Sequence, residues 1–410
     1  YIKLGQWLAS RPDIFPPDLC HALSKLFDNA PPHAWASTEA ALRDGDVLRH
    51  LASIETVPLN SGSVAQVHRG ILRDDVDGIP AGTAVAVKVL HPHIREQIAA
   101  DIAAMRMMIN AVEAVVPGAV YFDGQRALSE FSSLIQSQLD LQRECDNLLQ
   151  FRYNFRDFDG VVFPAPAPSI TTRDVLVETF EEGVPLHAFD HRNDPEGACL
   201  ADIGCHMFLK MLFEDNFTHA DLHGGNLLVR RRKERRGPWW QVPASLCSQE
   251  IVVLDPGLAV TLSPIERENF IALFGSVACG DGKLAAELML DRSRNLRKEC
   301  NREEFVKSIQ SVVEIANSND FKLSDVDFGA VLTQVLTAVR VHGGSIDGNF
   351  ASIVVSVIIG EALGRSLAPD LNIFAASAPY MMRYLEGTEL SGLIEQLRQK
   401  YGAASLVKNT

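Results

Sequence analysis

Residues 217–229 place ionisable and amide side chains in a short polar turn between apolar residues. Within this turn, Asp221 and Asn226 are five positions apart, a spacing that suits phosphoryl transfer. In that chemistry a carboxylate orients the attacking hydroxyl, and an amide oxygen holds a metal ion on nucleotide phosphates. Two other interpretations are open for this stretch alone. It fits an ordinary turn before a strand, and it fits a hydrolase metal cluster of His219, Asp221 and His223.

Two further segments separate these interpretations. Downstream, the apolar strand 251–254 ends in Asp-Pro-Gly, where a protein kinase has Asp-Phe-Gly and the aspartate, here Asp255, binds Mg²⁺. Upstream, residues 84–89 have the form of the strand that carries the ATP-binding lysine, here Lys88. A metallohydrolase predicts neither segment, so the sequence favours a kinase-like site.

The composition limits the class of protein and of partner. A chain of 410 residues is long enough to bury a large core, in one or two domains. Its 38 basic and 52 acidic residues give a net charge of −14, which argues against nucleic acid as the main partner. Seven scattered cysteines suggest neither a disulfide framework nor a zinc site, so a reducing compartment is favoured.

The sequence predicts no membrane-spanning helix, because no run of about eighteen or more apolar residues is present. The chain opens at Tyr1 without an initiator methionine. We therefore expect further sequence ahead of it, including any targeting peptide.

The segment 54–90 alternates and turns like β-strands. One hairpin upstream of Lys88 lies a loop of small and polar residues, in the position of a glycine-rich loop that covers phosphates. Taken alone, such a loop also fits an ordinary hairpin turn. The loop residues predicted to bind the nucleotide are Asn60, Ser61, Gly62, Ser63 and Val64.

Lys88 is expected to be partly buried and to require a counter-charge, because its neighbours on the same strand face are apolar. A long amphipathic helix is predicted over about 127–155. On it, Asp140 and Glu144 lie four residues apart on one side, and Glu144 is the candidate partner of Lys88. The alternative is that both acids are solvated surface charges.

A strand at 175–180 followed by the acidic turn 181–183 is typical of the segment that joins two kinase lobes. Backbone groups of Glu178 and Phe180 are predicted to meet the adenine there. Further on, the basic stretch 230–240 contains two tryptophans. It could contact anionic lipid headgroups or nucleic acid, but a solvated insertion between two strands is favoured.

The chain resembles the UbiB/aarF-domain (ADCK) atypical kinases from end to end. Lys3 and Gln6 belong to a Lys-x-Gly-Gln sequence that looks like that family's KxGQ signature, which ordinary protein kinases lack. Residues 219–226 match the family's catalytic loop, with Gly224 where proline is usual. Residues 60–63 align with its alanine-rich loop.

The resemblance implies an α+β, bilobal protein-kinase-like fold. It implies a KxGQ helical extension over 1–50, an N-lobe with inserted helices over 51–182 and a mostly helical C-lobe over 183–410. It also implies binding of Mg²⁺ and of ATP or ADP, and a role in ubiquinone (coenzyme Q) or related prenyl-lipid metabolism. Residence in mitochondria, in the matrix or associated with the inner membrane, is expected. The expected partners are a prenyl lipid or a lipid-modifying enzyme complex and a peripheral membrane contact, and phosphorylation of other proteins is disfavoured.

The resemblance also assigns roles to individual residues. Lys88 would hold the α- and β-phosphates and be fixed by Glu144. Asn226 and Asp255 would ligate Mg²⁺, and Asp221 would orient the attacking hydroxyl or water. The alternative is a nucleotide-gated lipid-binding or chaperone-like pseudokinase without phosphoryl transfer.

The chain departs from the family pattern at three places. Its ExD motif has Gln138 before Asp140, so the carboxylate expected to pair with Lys3 is replaced by an amide, and the extension is expected to close less tightly. Lys3, Gln6, Gln138 and Asp140 are nevertheless predicted to line the cleft. Gly62 replaces alanine, which should let the backbone approach the phosphates. Proline in Asp-Pro-Gly should make the metal loop less mobile.

Overall fold

The fold is given by a computed structural model that describes residues 31–115, 124–188, 195–222, 224–232, 248–292, 301–317, 334–335, 373–385 and 391–406. The predicted KxGQ residues Lys3 and Gln6 lie outside the described residues, and so does His223. No helix among the described residues is long and apolar enough to cross a membrane.

The upper part of the fold is an antiparallel sheet with strand order β1-β3-β4-β6, and β2 pairs with β3. The strands are β1 (Leu51–Ile54), β2 (Asn60–Ser61), β3 (Ala65–Leu72), β4 (Ala84–Leu90) and β6 (Val175–Thr179). Val85, Val87 and Val89 are fully buried. This confirms the predicted alternation, which leaves Lys88 on the opposite face of β4. A helix before the sheet, α1 (Trp35–Asp44), packs on the valine face.

Three α-helices lie between β4 and β6 in the part of this segment that the structure describes: α2 (Ile94–Val115), α3 (Gly124–Ser137) and α4 (Leu141–Asn154). The prediction of one helix over 127–155 is therefore wrong. The break occurs because Asp140 adopts an extended backbone (φ −132°, ψ 96°), and its side chain accepts a hydrogen bond from the backbone N–H of Gln142 at 3.2 Å. Asp140 is thus the N-cap of α4 and does not share a helix face with Glu144.

The lower part contains a second sheet, with strand order β5-β10-β9-β7, and a two-stranded ladder of β8 and β11. Its strands are β5 (Val161–Val162), β7 (Val184–Pro185), β8 (Thr218–His219), β9 (Leu227–Arg231), β10 (Gln249–Val253) and β11 (Ala259–Val260). Before β8, helix α5 (Pro195–Leu209) continues into a π-helical turn, Lys210–Glu214.

After β11 the described chain is helical, as predicted. Helix α6 begins with a capping box between Ser263 and Glu266 and ends at Gly280, whose φ is +82°. The helices are α6 (Pro264–Cys279), α7 (Gly282–Arg292), α8 (Arg302–Asn317), α9 (Ile373–Leu385) and α10 (Ser391–Leu406). One apolar core joins α4, α5, the lower sheet, α6, α9 and α10. The predicted α+β fold class is confirmed.

Candidate active site

Lys88 lies between two carboxylates. Its Nζ donates to both Glu144 oxygens at 2.8 Å and to Asp255 Oδ1 at 2.6 Å. The structure thus brings together residues from β4, from the first turn of α4 and from the segment after β10. Lys88 and Glu144 are well buried, with 18% and 5% of their side chains exposed, whereas Asp255 is 48% exposed.

The pKa values follow from this crowding. Burial opposes the charge on Lys88, but Asp255 and Glu144 outweigh it and raise the Lys88 pKa above its ordinary value. Burial raises the pKa of Glu144 to about 7, because it outweighs the attraction of Lys88. Burial also disfavours ionised Asp255, yet Lys88 holds the pKa of that carboxyl well below its usual range. Near pH 7, therefore, Lys88 is charged, Asp255 is ionised and Glu144 is the group of this cluster that titrates.

The Asp-Pro-Gly segment is docked on α4. Asn147 Nδ2 donates to the Pro256 carbonyl at 2.8 Å. A Cβ on Gly257 would lie 3.2 Å from Glu144 Oε2, so glycine allows the close approach. Asp255 itself has φ +53°, in the left-handed region that L-residues seldom adopt. Such strain is found where surrounding contacts fix a functional side chain.

The catalytic-loop residues are tied to the same segment. The Leu254 N–H donates to the Asn226 carbonyl at 2.8 Å, and Asn226 Nδ2 donates to the Asp221 carbonyl at 3.1 Å. Asn226 therefore lies beside Asp255 with its amide group fixed. Asp221 and Asn226 are both partly exposed to solvent. This arrangement leaves their side-chain oxygens accessible to a ligand.

His219 is fully buried and bonds backbone atoms through both ring nitrogens. Its Nε2 donates to the Leu254 carbonyl at 3.2 Å, and its Nδ1 accepts from the Asp221 N–H at 3.2 Å. A metal ion could bind His219 only if one of these bonds broke. Among the described residues, no group of three or more His, Cys, Asp or Glu side chains could hold a metal ion. The geometry of His219 therefore disfavours the hydrolase interpretation.

In the loop 60–64, which was predicted to cover phosphates, two backbone N–H groups form hydrogen bonds within the loop or to the residue after it. The Ser61 N–H donates to Asn60 Oδ1 and the Gly62 N–H donates to the Ala65 carbonyl, each at 2.9 Å. These two N–H groups are engaged, contrary to the expectation that they would face an anion. The buried hydroxyls of Ser61 and Ser63, however, form no hydrogen bond within the described part of the chain. Two unsatisfied buried donors in this loop, which leads into β3, the strand that pairs with the strand of Lys88, fit a phosphate ligand.

We expect Gly62→Ala to fold normally. A Cβ at this position would lie 3.6 Å from the Ala65 carbonyl oxygen, an ordinary contact, and Gly62 is not among the residues with positive φ. The free energy of unfolding in urea should change by less than about 1 kcal/mol. In the control Gly183→Ala, a Cβ would lie 2.7 Å from the Leu228 Cβ, and a loss of about 1–3 kcal/mol is expected. Equal losses in the two variants would contradict this geometry.

Two histidines, His91 and His33, support the loop 60–64 through a chain of hydrogen bonds that the sequence did not suggest. His91 Nε2 donates to the Gly62 carbonyl at 2.8 Å, and His91 Nδ1 lies 2.7 Å from His33 Nδ1. His33 Nε2 lies 2.8 Å from Thr38 Oγ1. Because His91 donates through Nε2, its neutral form accepts at Nδ1, so His33 donates there and accepts from Thr38. Burial lowers the pKa of His33 to about 4, helped by His91 and His68, so His33 is neutral at pH 7.

Glu178 presents its carboxyl to the cleft. It lies opposite Ala86 in the β4–β6 register, where Leu176 lies opposite Lys88. Since side chains alternate along a strand, Glu178 and Lys88 share one sheet face. Burial, and then the charge on Glu144, raises the Glu178 pKa to about 8. The sequence prediction involved only the backbone of Glu178, although the alternation of β6 could have indicated the side chain.

The predicted use of the Phe180 backbone is not supported by its hydrogen bonding. The Phe180 N–H donates to the Ala84 carbonyl at 2.9 Å, within the sheet. The Phe180 ring lies below the Arg69 guanidinium, 5.2 Å from its carbon. This backbone donor is therefore engaged before any ligand binds.

Of the four residues predicted to line the cleft, the structure describes two, Gln138 and Asp140. Asp140 bonds Arg173 Nε at 3.1 Å in addition to capping α4. Gln138 is partly buried, and its N–H donates to the Ile135 carbonyl at 3.2 Å. Their expected contacts with Lys3 and Gln6 lie outside the described residues and stay predictions.

The described start of the basic stretch 230–240 is not a solvated insertion. Arg230 and Arg231 belong to β9, and Arg230 bonds Glu250 at 2.7 Å and also Glu181. Arg232 bonds the buried Asp159 at 2.6 Å. The expectation was wrong for Arg230 and Arg232, because the two strands of this hairpin extend further than predicted and both arginines meet buried acids. Arg231 is exposed, as expected of a solvated residue.

The site fits a magnesium nucleotide on the chemistry of its donors. Glu144 and Asp255 both contact Lys88, and Glu178 acts on the same cluster, so three acids surround one lysine among the described residues. Carboxylate and amide oxygens are the protein ligands that Mg²⁺ prefers. Together, the two-part fold, the fixed Lys88–Glu144 pair and the Asp-Pro-Gly segment beside it define a kinase-like protein.

Comparison with known families makes the class specific. The ABC1 atypical kinase-like domain matches residues 25–289. The chain therefore belongs to the ABC1 atypical kinase-like family, as the sequence resemblance indicated.

Individual relatives agree with this assignment. The chain is 30% identical to ABC1 family protein C21C3.03, mitochondrial, of Schizosaccharomyces pombe, covering 93% of this chain and 63% of that protein. It is 32% identical to ABC1 family protein YPL109C, mitochondrial, of Saccharomyces cerevisiae, covering 96% and 67%. It is 28% identical to probable protein kinase UbiB of Aliivibrio salmonicida, covering 94% and 68%. The chain thus spans about two thirds of the length of these relatives.

A solved structure has the same fold. The complex of Rv3197 with erythromycin from Mycobacterium tuberculosis matches with a TM-score of 0.53 and 20% sequence identity. The match covers 90% of this chain and 91% of the other.

Proposed function

We propose that the chain binds Mg²⁺-ATP or Mg²⁺-ADP in the cleft between β4 and Asp255, and that it acts as an atypical kinase or ATPase. The observation that carries this proposal is the buried Lys88, held between Glu144 and Asp255. The unsatisfied hydroxyls of Ser61 and Ser63 in the predicted phosphate-binding loop support it. When bound, Mg²⁺-ATP supplies the phosphoryl group and a metal ion that neutralises its charge.

The residues divide the work as follows. Lys88 would bind the α- and β-phosphates, and the Ser61 and Ser63 hydroxyls would donate to phosphate oxygens. Asp255 and the Asn226 side-chain oxygen would hold Mg²⁺. Asp221 would orient the attacking hydroxyl or water. Its position beside Asn226, fixed by the 3.1 Å bond from Asn226 Nδ2 to its carbonyl, supports this role.

We further propose a role in ubiquinone or related prenyl-lipid metabolism in mitochondria. Two relatives carry the word mitochondrial in their names, and another is named UbiB. A prenyl lipid or a lipid-modifying enzyme complex, and a peripheral membrane contact, would be the partners.

One observation favours a second candidate, a nucleotide-gated lipid-binding module without phosphoryl transfer. Lys88 Nζ lies 2.6 Å from Asp255 Oδ1, so an oxygen that Mg²⁺ would require is occupied by the lysine. The nucleotide must separate the two before the metal site is complete. ATP turnover stimulated by lipid or detergent, and abolished in Asp221→Asn, would support the enzyme. Binding without turnover would support the module.

The direct test is thermal unfolding with and without Mg²⁺-ATP and Mg²⁺-ADP. A ligand at a hundred times its Kd should stabilise the folded protein by about 2.7 kcal/mol, so a clear rise in Tm is expected. The rise should require Mg²⁺ and should be absent in Asp255→Asn. A wild-type protein whose Tm responds to neither nucleotide would overturn the proposal.

A further inference from the structure

Glu178 is a partly buried acid with one oxygen that no described residue satisfies. Its Oε2 is fully buried and forms no hydrogen bond within the described part of the chain. The charged groups that act on it are Glu144, Lys88, Asp255 and Glu181. Three of these four are acids, which make its position less favourable. A buried carboxyl oxygen without a partner destabilises a fold, so this one is explained best by a hydrogen bond to a ligand.

The register locates this carboxyl along the cleft. Glu178 lies opposite Ala86, whereas Lys88 lies opposite Leu176, two residues further along the same face. Two residues along a strand span roughly 7 Å, so Glu178 is displaced by that length from Lys88, toward the connection between the lobes. Lys88 itself would hold the phosphates. Alanine at position 86 leaves space across from the carboxyl. The part of the nucleotide that reaches this space is the base.

The first two backbone N–H groups after Glu178 are already engaged. The Thr179 N–H donates to the Ala165 carbonyl and the Phe180 N–H to the Ala84 carbonyl, each at 2.9 Å. The Glu178 Oε2 beside them is unsatisfied, and it is an acceptor when the carboxyl is ionised or when its proton is on the other oxygen. It complements a ligand group that donates, and the exocyclic amino group of adenine is such a donor.

We propose that Glu178 determines base specificity by accepting a hydrogen bond from the exocyclic amino group of the nucleotide base. This inference rests on the proposed nucleotide site and names the base that it selects. The carboxyl performs this role in either protonation state, because its neutral form keeps a carbonyl oxygen that accepts. A base without an amino group at this position would leave the carboxyl unsatisfied in a closed site.

The test compares ATP with purine riboside 5′-triphosphate, which differs only by lacking the amino group. Dissociation constants are measured by calorimetry with Mg²⁺ for the wild type, Glu178→Gln and Glu178→Leu. The wild type should bind ATP about tenfold or more tightly than the analogue, as expected for one buried hydrogen bond. Glu178→Gln, whose amide oxygen still accepts, should keep this preference. Glu178→Leu should bind both nucleotides equally.

Stability in the absence of nucleotide separates this role from a structural one. Because the buried Oε2 has no partner within the described chain, Glu178→Leu should unfold at the same temperature as the wild type or higher. A lower Tm for Glu178→Leu would show that Glu178 holds the fold and would overturn the proposal. Equal binding of ATP and the analogue by the wild type would also overturn it, while leaving the nucleotide site in place. If neither triphosphate binds, the proposed function itself fails.

Discussion

Replacing Lys88 with methionine is expected to lower the free energy of unfolding by about 3–5 kcal/mol at pH 8 and by much less near pH 5. Methionine fills a similar volume but removes the cation that Glu144 and Asp255 share at 2.6–2.8 Å. Most of the loss should come from Glu144, which is 5% exposed, because water screens the half-exposed Asp255.

The pH dependence follows from the raised pKa values. Glu144 has a pKa of about 7 in the fold and an ordinary value of 4.5, so between these values the folded protein keeps a proton that the unfolded chain has lost. Stability therefore falls as the pH rises through this window. Glu178, with a pKa of about 8, acts in the same direction. Without Lys88 the Glu144 pKa should rise further. The free-energy cost of ionising the buried Glu144 should therefore lower the stability of the variant at high pH.

Urea unfolding from pH 5 to pH 8 measures this effect. The matched control is the double variant Lys88→Met with Glu144→Gln, which removes the charge on both partners. It should regain most of the stability that the single variant loses at pH 8. A loss of the same size at every pH, unrelieved by Glu144→Gln, would mean that Lys88 acts through packing and not through charge.

Much of the candidate site could be predicted because its residues follow strand and helix periodicity or known motif spacing. The alternation of β4 placed Lys88 opposite the buried valines, and Glu144 was the candidate partner of Lys88. Asp255 was predicted as a metal ligand of the same site, and its direct contact with Lys88 was not predicted. These inferences need only a periodic backbone and a charge that must be neutralised. Both are local properties of a sequence.

The missed features depend on geometry that a sequence pattern does not contain. The break before α4 depends on one capping residue, Asp140, inside an uninterrupted apolar pattern. The support of the Gly62 carbonyl depends on His33 and His91, which are 58 residues apart. The unsatisfied Glu178 carboxyl depends on which strand lies opposite it. The first is decided by one local side-chain hydrogen bond, and the other two by tertiary contacts that extend local preference.

Arg230→Met is expected to cost about 3–5 kcal/mol of unfolding free energy at pH 7. Arg230 Nε donates to Glu250 at 2.7 Å and its Nη1 donates to Glu181, and all three side chains are at most 12% exposed. Burial opposes the charge, but Glu250 and Glu181 raise the Arg230 pKa above its ordinary value. Removing the guanidinium leaves the buried carboxylates of Glu181 and Glu250 without the cation that both contact.

The adjacent Arg231 provides the control. It lies on the same strand, β9, with its side chain exposed. Arg231→Met should change the free energy of unfolding by less than about 0.5 kcal/mol, whereas Arg230→Lys should recover part of the loss by keeping the charge. Equal losses for the two arginine-to-methionine variants would contradict the buried ion-pair assignment.

The location of Arg230 makes this variant informative about the connection between the lobes as well. Glu181 follows β6 of the upper sheet, whereas Arg230 and Glu250 belong to β9 and β10 of the lower sheet. The guanidinium thus links the two sheets directly after the strand that carries Glu178. Hydrogen exchange should therefore rise in residues 179–183 of Arg230→Met before it rises in β4, because local opening starts where the contacts that span the sheets are lost. Exchange that rises equally in both segments would mean that Arg230 stabilises the whole fold and not this connection.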